Sequence, residues 1–196
     1  MKNKIQTVYP QSAFQSTSAE TIYVVDYTER TGSARKVEVC MSLPSTPDGN
    51  GVMDCMKVNN NESVELEFCL FDDHQFKDER GHDISHCECC FFLAQDTSVL
   101  SFIEIKDCKA KNVVVYKDKV KEQILSTVQL FRASGIIKGQ KVYGIISFPR
   151  RKKMLFNDFP FRDNNELTQW VKRYGIHLVV ANEVNLYGNG SLTVCE

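Results

Sequence analysis

Three side chains near the middle of the chain could do chemistry together: Glu88, Glu104 and Lys106. Glu104-Ile105-Lys106 closes an apolar run, VLSFIEI, that reads as a strand. Positions two apart on a strand share a face, so an acid and a base stand side by side there. Glu88 lies on the preceding run, CECCFFLA. The two runs are joined by Gln95-Asp96-Thr97-Ser98, a tight polar turn. Two carboxylates on adjacent strands make a hard oxygen site suited to Mg²⁺ or Mn²⁺. The lysine beside them is a compact point charge that can orient or deprotonate a water attacking phosphorus. A divalent metal there would polarise a phosphate and lower the pKa of its bound water. Phosphodiester hydrolysis gains charge in its transition state, and a preorganised site of this kind stabilises it.

Whether the three converge depends on the register of the hairpin. With the turn centred near Thr97, Glu88 faces Lys106 and Cys90 faces Glu104. Glu88, Glu104 and Lys106 then share one face, and Cys89, Phe91, Leu93, Ile103 and Ile105 form the apolar other face. A slip of one residue would destroy the arrangement. The plainer alternative is an exposed strand face, with Glu104 and Lys106 making a weak cross-strand pair to Glu88.

The elements that must hold this hairpin follow from pattern. Residues 1–20 are polar, rich in Gln, Ser and Thr, and read as loosely ordered. Thr21–Asp26 (TIYVVD) and the alternating stretch Arg35–Met41 flank a turn at Thr31-Gly32-Ser33 and predict a hairpin. LPSTPDGNG, from Leu43 to Gly51, is a loop, and Asn59-Asn60-Asn61 marks a break. The stretch from Ser63 to Gln75 carries two patterns. Val64, Phe68, Phe71 and Gln75 fit a helix with Ser63 as N-cap, while Val64, Leu66, Phe68 and Leu70 alternate with Glu65 and Glu67 as on a strand. Val113–Tyr116 reads as a short strand. Asp118–Ala133 is an amphipathic helix, with Val120, Ile124, Val128 and Phe131 on one stripe and Gly135 ending it. Lys141–Phe148 (KVYGIISF) is a buried strand stopped by Pro149. Asn164–Tyr174 is a second helix closed by Gly175, and Ile176–Ala181 a further buried strand. Strands alternating with helices predict a mixed sheet covered on both faces.

An acid, a hairpin ending in Glu-x-Lys, then a helix and a strand: over Asn61–Phe148 this order resembles the PD-(D/E)XK (restriction-endonuclease-like) superfamily. The resemblance implies an α-β-β-β-α-β core. The fold class is then α/β (α+β), a mixed central sheet flanked by helices. Residues 1–60 would be an N-terminal extension bearing the β-hairpin, and residues 61–196 the core with its C-terminal helix–strand elements, in one compact domain. The resemblance puts Glu88 in the place of the first motif acid, with Asp83 the other candidate, outside the strand register. Glu104 and Lys106 take the places of the second acid and the lysine, and Glu88 and Glu104 would hold Mg²⁺ or Mn²⁺. The family's following helix presents a glutamine to the site, here Gln123, with Gln129 second. Its core helix before the hairpin tips Ser63–Gln75 towards helix, and Glu65 or Glu67 would then supply a further acid. The activity implied is metal-dependent hydrolysis of DNA or RNA. Degenerate members bind without cutting, which gives the second reading: a nucleic-acid- or protein-binding subunit, for example of a bacterial defence or toxin–antitoxin pair.

The 196 residues carry 24 basic and 25 acidic side chains, a net charge of −1, so only local patches speak for nucleic acid. Lys109, Lys111, Lys117, Lys119 and Lys121 follow the motif, and Arg150-Arg151-Lys152-Lys153 follows a strand. Both could neutralise phosphates, or simply form solvated faces. Asp107, Asp118 and Glu122 dilute the first. The chain holds eight cysteines. MKNKIQTVYPQSAFQ has no apolar segment of the secretory kind, and no run approaches a membrane span, so the sequence points to a cytoplasmic protein without a membrane partner. A homodimer or a protein partner is compatible with it. Buried thiols are then the expected state. His82, His86, Cys87, Cys89, Cys90 and Cys108 are close, but C-x-C-C on a strand splits its thiols between two faces, against tetrahedral zinc. Cys90 would adjoin the metal site, open to oxidation. No phosphate-binding glycine loop and no nucleophile elbow is present. Trp170, Val171 and Tyr174 read as core.

Overall fold

The computed structural model describes residues 1–28, 37–72, 74–106, 113–150 and 164–195. Its central sheet is built from β1 (Ala13–Thr17), β5 (Leu66–Leu70), β6 (Cys89–Leu93), β7 (Val99–Ile105), β8 (Lys141–Ser147) and β9 (Ile176–Val180), in that spatial order. From β1 to β7 the neighbours are antiparallel; β8 and β9 run parallel to β7. A second sheet takes β2 (Thr21–Asp26), β3 (Val37–Cys40), β4 (Met56–Asn59), β10 (Glu183–Leu186) and β11 (Leu192–Val194), in the order β11-β10-β4-β2-β3. The described helices are α1 (Lys2–Val8), α2 (Val113–Ala133) and α3 (Asn164–Tyr174). The molecule is thus a mixed α+β protein with two mixed sheets.

Strand alternation explains the layering. Cys89, Phe91, Leu93, Ile103 and Ile105 meet Ile22, Val24, Met56 and Val58 of the second sheet in one apolar layer. Cys90, Phe92, Leu100 and Phe102 point the other way and pack with Val120, Ile124, Val128 and Phe131 of α2. Both faces of the central sheet are therefore covered, as the near-continuous apolar runs demand. One cover is helical and the other is a sheet, where helices on both sides were expected.

Close packing has a visible point of contact. A Cβ built on Gly144 of β8 would lie 2.8 Å from Ile124 Cγ2, 3.1 Å from Leu178 Cδ2 and 3.2 Å from Ile176 Cγ2. The first of these is a stiff β-branched methyl on α2, so the helix axis would have to lift. Gly144→Ala is expected to lower stability by about 1–3 kcal/mol through overpacking. A urea titration checks this through the shift of its midpoint at unchanged slope.

The predicted hairpin of β2 and β3 forms, as do β6, β7, β8, α3 and β9, with Gly135 and Gly175 at positive φ closing their helices. Its turn at Thr31-Gly32-Ser33 lies outside the described residues. Three expectations are corrected. Residues 1–20 are not loose: they form α1, whose Ile5 is fully buried, and β1, which pairs with β5. Within residues 1–60, β1 joins the central sheet and β2, β3 and β4 the second. The stretch from Ser63 to Gln75 is not a helix. It carries β5, and Ser63 sits at φ 49° rather than capping anything. The period-two pattern of Leu66, Phe68 and Leu70 prevailed because both neighbouring edges, β1 and β6, were open to pair. Val113–Tyr116 is not a strand but the first turn of α2. β-branched residues lower helix propensity only by tenths of a kcal/mol, and lengthening an already packed helix needs no new nucleus.

Candidate active site

Glu88, Glu104 and Lys106 gather where β6 begins and β7 ends. Ladder pairs run Cys89↔Ile103, Cys90↔Phe102 and Phe91↔Ser101. Cys90 therefore meets Phe102 rather than Glu104, a shift of two residues from the expected register. Two is even, so β7 and β6 keep the predicted apolar face toward the second sheet. The ladder ends at Cys89↔Ile103, next to both acids in sequence, and the Glu88 N–H donates to the carbonyl of Ile103 at 2.9 Å. Lys106 reaches its own strand neighbour: Nζ lies 3.2 Å from Glu104 Oε1. Its N–H donates to Ser147 O at 2.9 Å, which holds the end of β7 against β8.

The setting is dry. Glu88 is 1% exposed and Glu104 0%. The alternative of a solvent-exposed strand face is thereby overturned for both acids. Burial, then the charges of Cys87, Glu88, Cys69 and Glu104, push the Cys89 thiol well above its usual range. Both carboxylates thus lie within electrostatic reach of one side chain. Lys106 offers one positive charge.

Gln123 is brought to the same region. It is buried on α2, and its Nε2 donates to the carbonyl of His86, two residues before Glu88, at 2.9 Å. Its Oε1 has no hydrogen-bond partner among the described residues. Gln129 is exposed on the opposite side of the helix. Asp83 lies on the surface, 2.9 Å from His74 Nδ1. Glu65 is exposed, and Glu67 pairs with Lys2 of α1 at 3.0 Å. Glu67 sits opposite Phe92 while Phe71 N–H meets Glu88 O, so Phe68, Cys69 and Leu70 separate Glu67 from the residue that meets Glu88.

The cysteines are free thiols where described, and Cys69, Cys87, Cys89 and Cys90 are buried. Cys90 faces Cys69 across β5 and β6 within the helix-side core. His82 is exposed and pairs with Asp78. Among the described residues no group of three or more His, Cys, Asp and Glu side chains is arranged to hold a metal ion. Cys108 lies outside the described residues.

Of the basic residues, Lys119 on α2 and Arg150 after β8 are exposed. Lys117 and Lys121 reach across to Glu166 of α3, at 3.2 and 2.6 Å. Partial burial opposes the charge of Glu166, but these hydrogen bonds outweigh it and hold its pKa below the usual range. The two lysines tie α2 to α3. Lys109, Lys111, Arg151, Lys152 and Lys153 lie outside the described residues. Trp170 and Tyr174 pack against the helix-side core with ring centroids 4.8 Å apart.

Sequence reasoning passed over Thr127. It is fully buried on α2, accepts from Cys87 N–H at 3.0 Å and donates to Gln123 O at 2.8 Å. The signal was present: a threonine four residues after Gln123, on the helix's apolar face. No helix among the described residues is long and apolar enough to cross a membrane. Compared with known proteins, the chain matches no family model, no curated protein and no solved structure.

Proposed function

We propose that the protein is a divalent-metal-dependent nuclease built on a restriction-endonuclease-like core, with Glu88, Glu104, Lys106 and Gln123 as its working residues. The observation that carries this reading is the contact of the partly exposed Lys106 Nζ with the buried Glu104 at 3.2 Å, at the end of the hairpin where Glu88 is buried as well. The order β5, β6, β7, α2, β8 supports it, being a three-strand meander followed by a helix and a parallel strand. The chain departs from the expected core at its start, where β2–β4 stand in place of a helix.

The donor chemistry suits Mg²⁺ or Mn²⁺: Glu88 and Glu104 carboxylates with the amide oxygen of Gln123 are hard ligands. Bound there, the metal would supply Lewis-acid activation of a phosphate and of a water. The chain's own residues do the rest. Glu104 holds Lys106 in place at 3.2 Å. Lys106, at the strand end, presents that charge to the oxygen attacking phosphorus and to the negative charge that builds there. Lys119 and Arg150, with the basic residues of 151–153, would hold the substrate backbone. The near-complete burial of both acids favours one other reading, a degenerate core that binds nucleic acid or a protein without cutting.

A cleavage assay on labelled single- and double-stranded DNA and RNA separates the two. Cleavage is expected with Mg²⁺ or Mn²⁺, abolished by EDTA and lost in Glu104→Ala. Failure to cut every substrate, together with no rise in Tm on adding Mn²⁺, would sink the enzyme reading and leave the binding one.

A further inference from the structure

The peptide unit between His86 and Cys87 is held at both of its ends by one helix. Its carbonyl accepts from Gln123 Nε2 at 2.9 Å, and its N–H donates to Thr127 Oγ1 at 3.0 Å. Thr127 and Gln123 stand one turn apart on α2, and the Thr127 hydroxyl donates back to the Gln123 carbonyl at 2.8 Å. All four residues are buried. The ladder of β6 begins only at Cys89, so this peptide lies ahead of the sheet's own hydrogen bonding. A buried peptide must be paired, and any polar group would satisfy it. Two side chains on a packed 21-residue helix do so in one geometry, since threonine is stiff at χ1.

The residue that follows is Glu88. Its N–H donates to Ile103 O at 2.9 Å, and its carbonyl accepts from Phe71 N–H at 3.1 Å. Its backbone is thus tied to β7 on one side and the end of β5 on the other. The α2 clamp holds the chain one residue earlier, at the peptide that precedes Cys87.

We infer that Thr127, acting with Gln123, is a positioning residue for Glu88: it sets the level at which that carboxylate meets Glu104. This rests on the reading of the two acids as a working pair. Side chains that orient a metal ligand without touching the metal commonly control its performance, and losing one costs about 10–100-fold in affinity or activity.

The test uses the full chain as wild type, Thr127→Val, Thr127→Ser and Gln123→Met, with two readouts. One is the kinetics of cleavage of labelled DNA and RNA with Mn²⁺. The other is amide hydrogen exchange at Glu88, followed with and without Mn²⁺. In Thr127→Val, kcat is expected to fall about 10–100-fold at unchanged KM. Exchange at Glu88 is expected to accelerate while amides of β8 keep their protection. Thr127→Ser restores both, because the hydroxyl returns. Gln123→Met releases the other end of the same peptide and accelerates the same amide, which keeps the test decisive if Thr127→Val does not fold. Wild-type exchange at Glu88 in the variants, or acceleration spread evenly over β8, overturns the positioning role. A wild type that cuts nothing, with Glu88 exchange still accelerated in the variants, sinks the nuclease reading alone and leaves the clamp standing.

Discussion

Lys106→Ala is expected to lower kcat for metal-dependent cleavage by about 10²–10³-fold, the usual loss when one preorganised group stabilising transition-state charge is removed. KM should change little, because in the proposed mechanism the ammonium acts on charge that develops during reaction rather than on ground-state binding. Lys106 sits at the end of β7, partly exposed, with its Nζ 3.2 Å from the buried Glu104. A circular-dichroism melt separates any loss of stability from chemistry. Lys106→Arg refines the result. Guanidinium keeps the charge but cannot give up a proton at any accessible pH and does not occupy the same compact position. Recovery to near wild-type rate in Lys106→Arg would mean that charge alone suffices. The expected outcome is under a tenth of wild-type kcat, because a planar guanidinium does not take the ammonium's place 3.2 Å from Glu104 Oε1. A Lys106→Ala protein that cuts at the wild-type rate would remove the residue from the mechanism.

Much of this arrangement was legible before any coordinates. The two strands around Gln95–Ser98, their apolar face and the following amphipathic helix rest on periodicity, which short apolar runs bounded by a polar turn express strongly. Parity survived even where the register did not. The turn was expected to be centred on Thr97, but the ladder pairs Cys90 with Phe102, so the loop takes a different number of residues from each side. Turn geometry sets register, and a polar four-residue turn admits several. What was not legible was anything decided by a distant segment. β1 finds β5 across fifty residues, and β4 pairs in parallel with β10 from the far end of the chain. Neither end of those pairings carries a local mark. Val113–Tyr116 misled for the opposite reason: its local mark was strand-like, and the packed helix behind it overrode the preference. In the site itself the charged residues stood out because acids and lysines are rare on buried strands. Thr127 did not, because a threonine on an apolar helix stripe passes for core until the peptide it holds is known.

Phe131→Ala is expected to be the most destabilising single change in the helix-side core, at about 3–5 kcal/mol. Its ring is fully buried and is met from four directions: Phe102 on β7 at 5.3 Å, Phe71 after β5 at 5.8 Å, Tyr9 after α1 at 5.9 Å and Phe76 at 6.3 Å. The partners sit on stiff, mutually packed elements, so the cavity left by truncation would close only in part, and the cost of a void follows how little its walls relax. Phe131→Leu keeps most of the volume and should lose less than half as much, which guanidinium titrations of the two variants would establish. The consequence reaches the site. Phe71 donates its N–H to the carbonyl of Glu88, and Phe76 stacks edge-on against His86 at 4.9 Å. Both belong to the cluster that Phe131 anchors. Loosening the cluster therefore loosens the segment that carries Glu88, while Glu104 and Lys106 remain fixed by β8. In Phe131→Leu, a folded protein, metal-dependent cleavage should drop by more than its modest stability loss explains. Unchanged kcat in that variant would mean that Glu88 is held by the sheet and α2 alone.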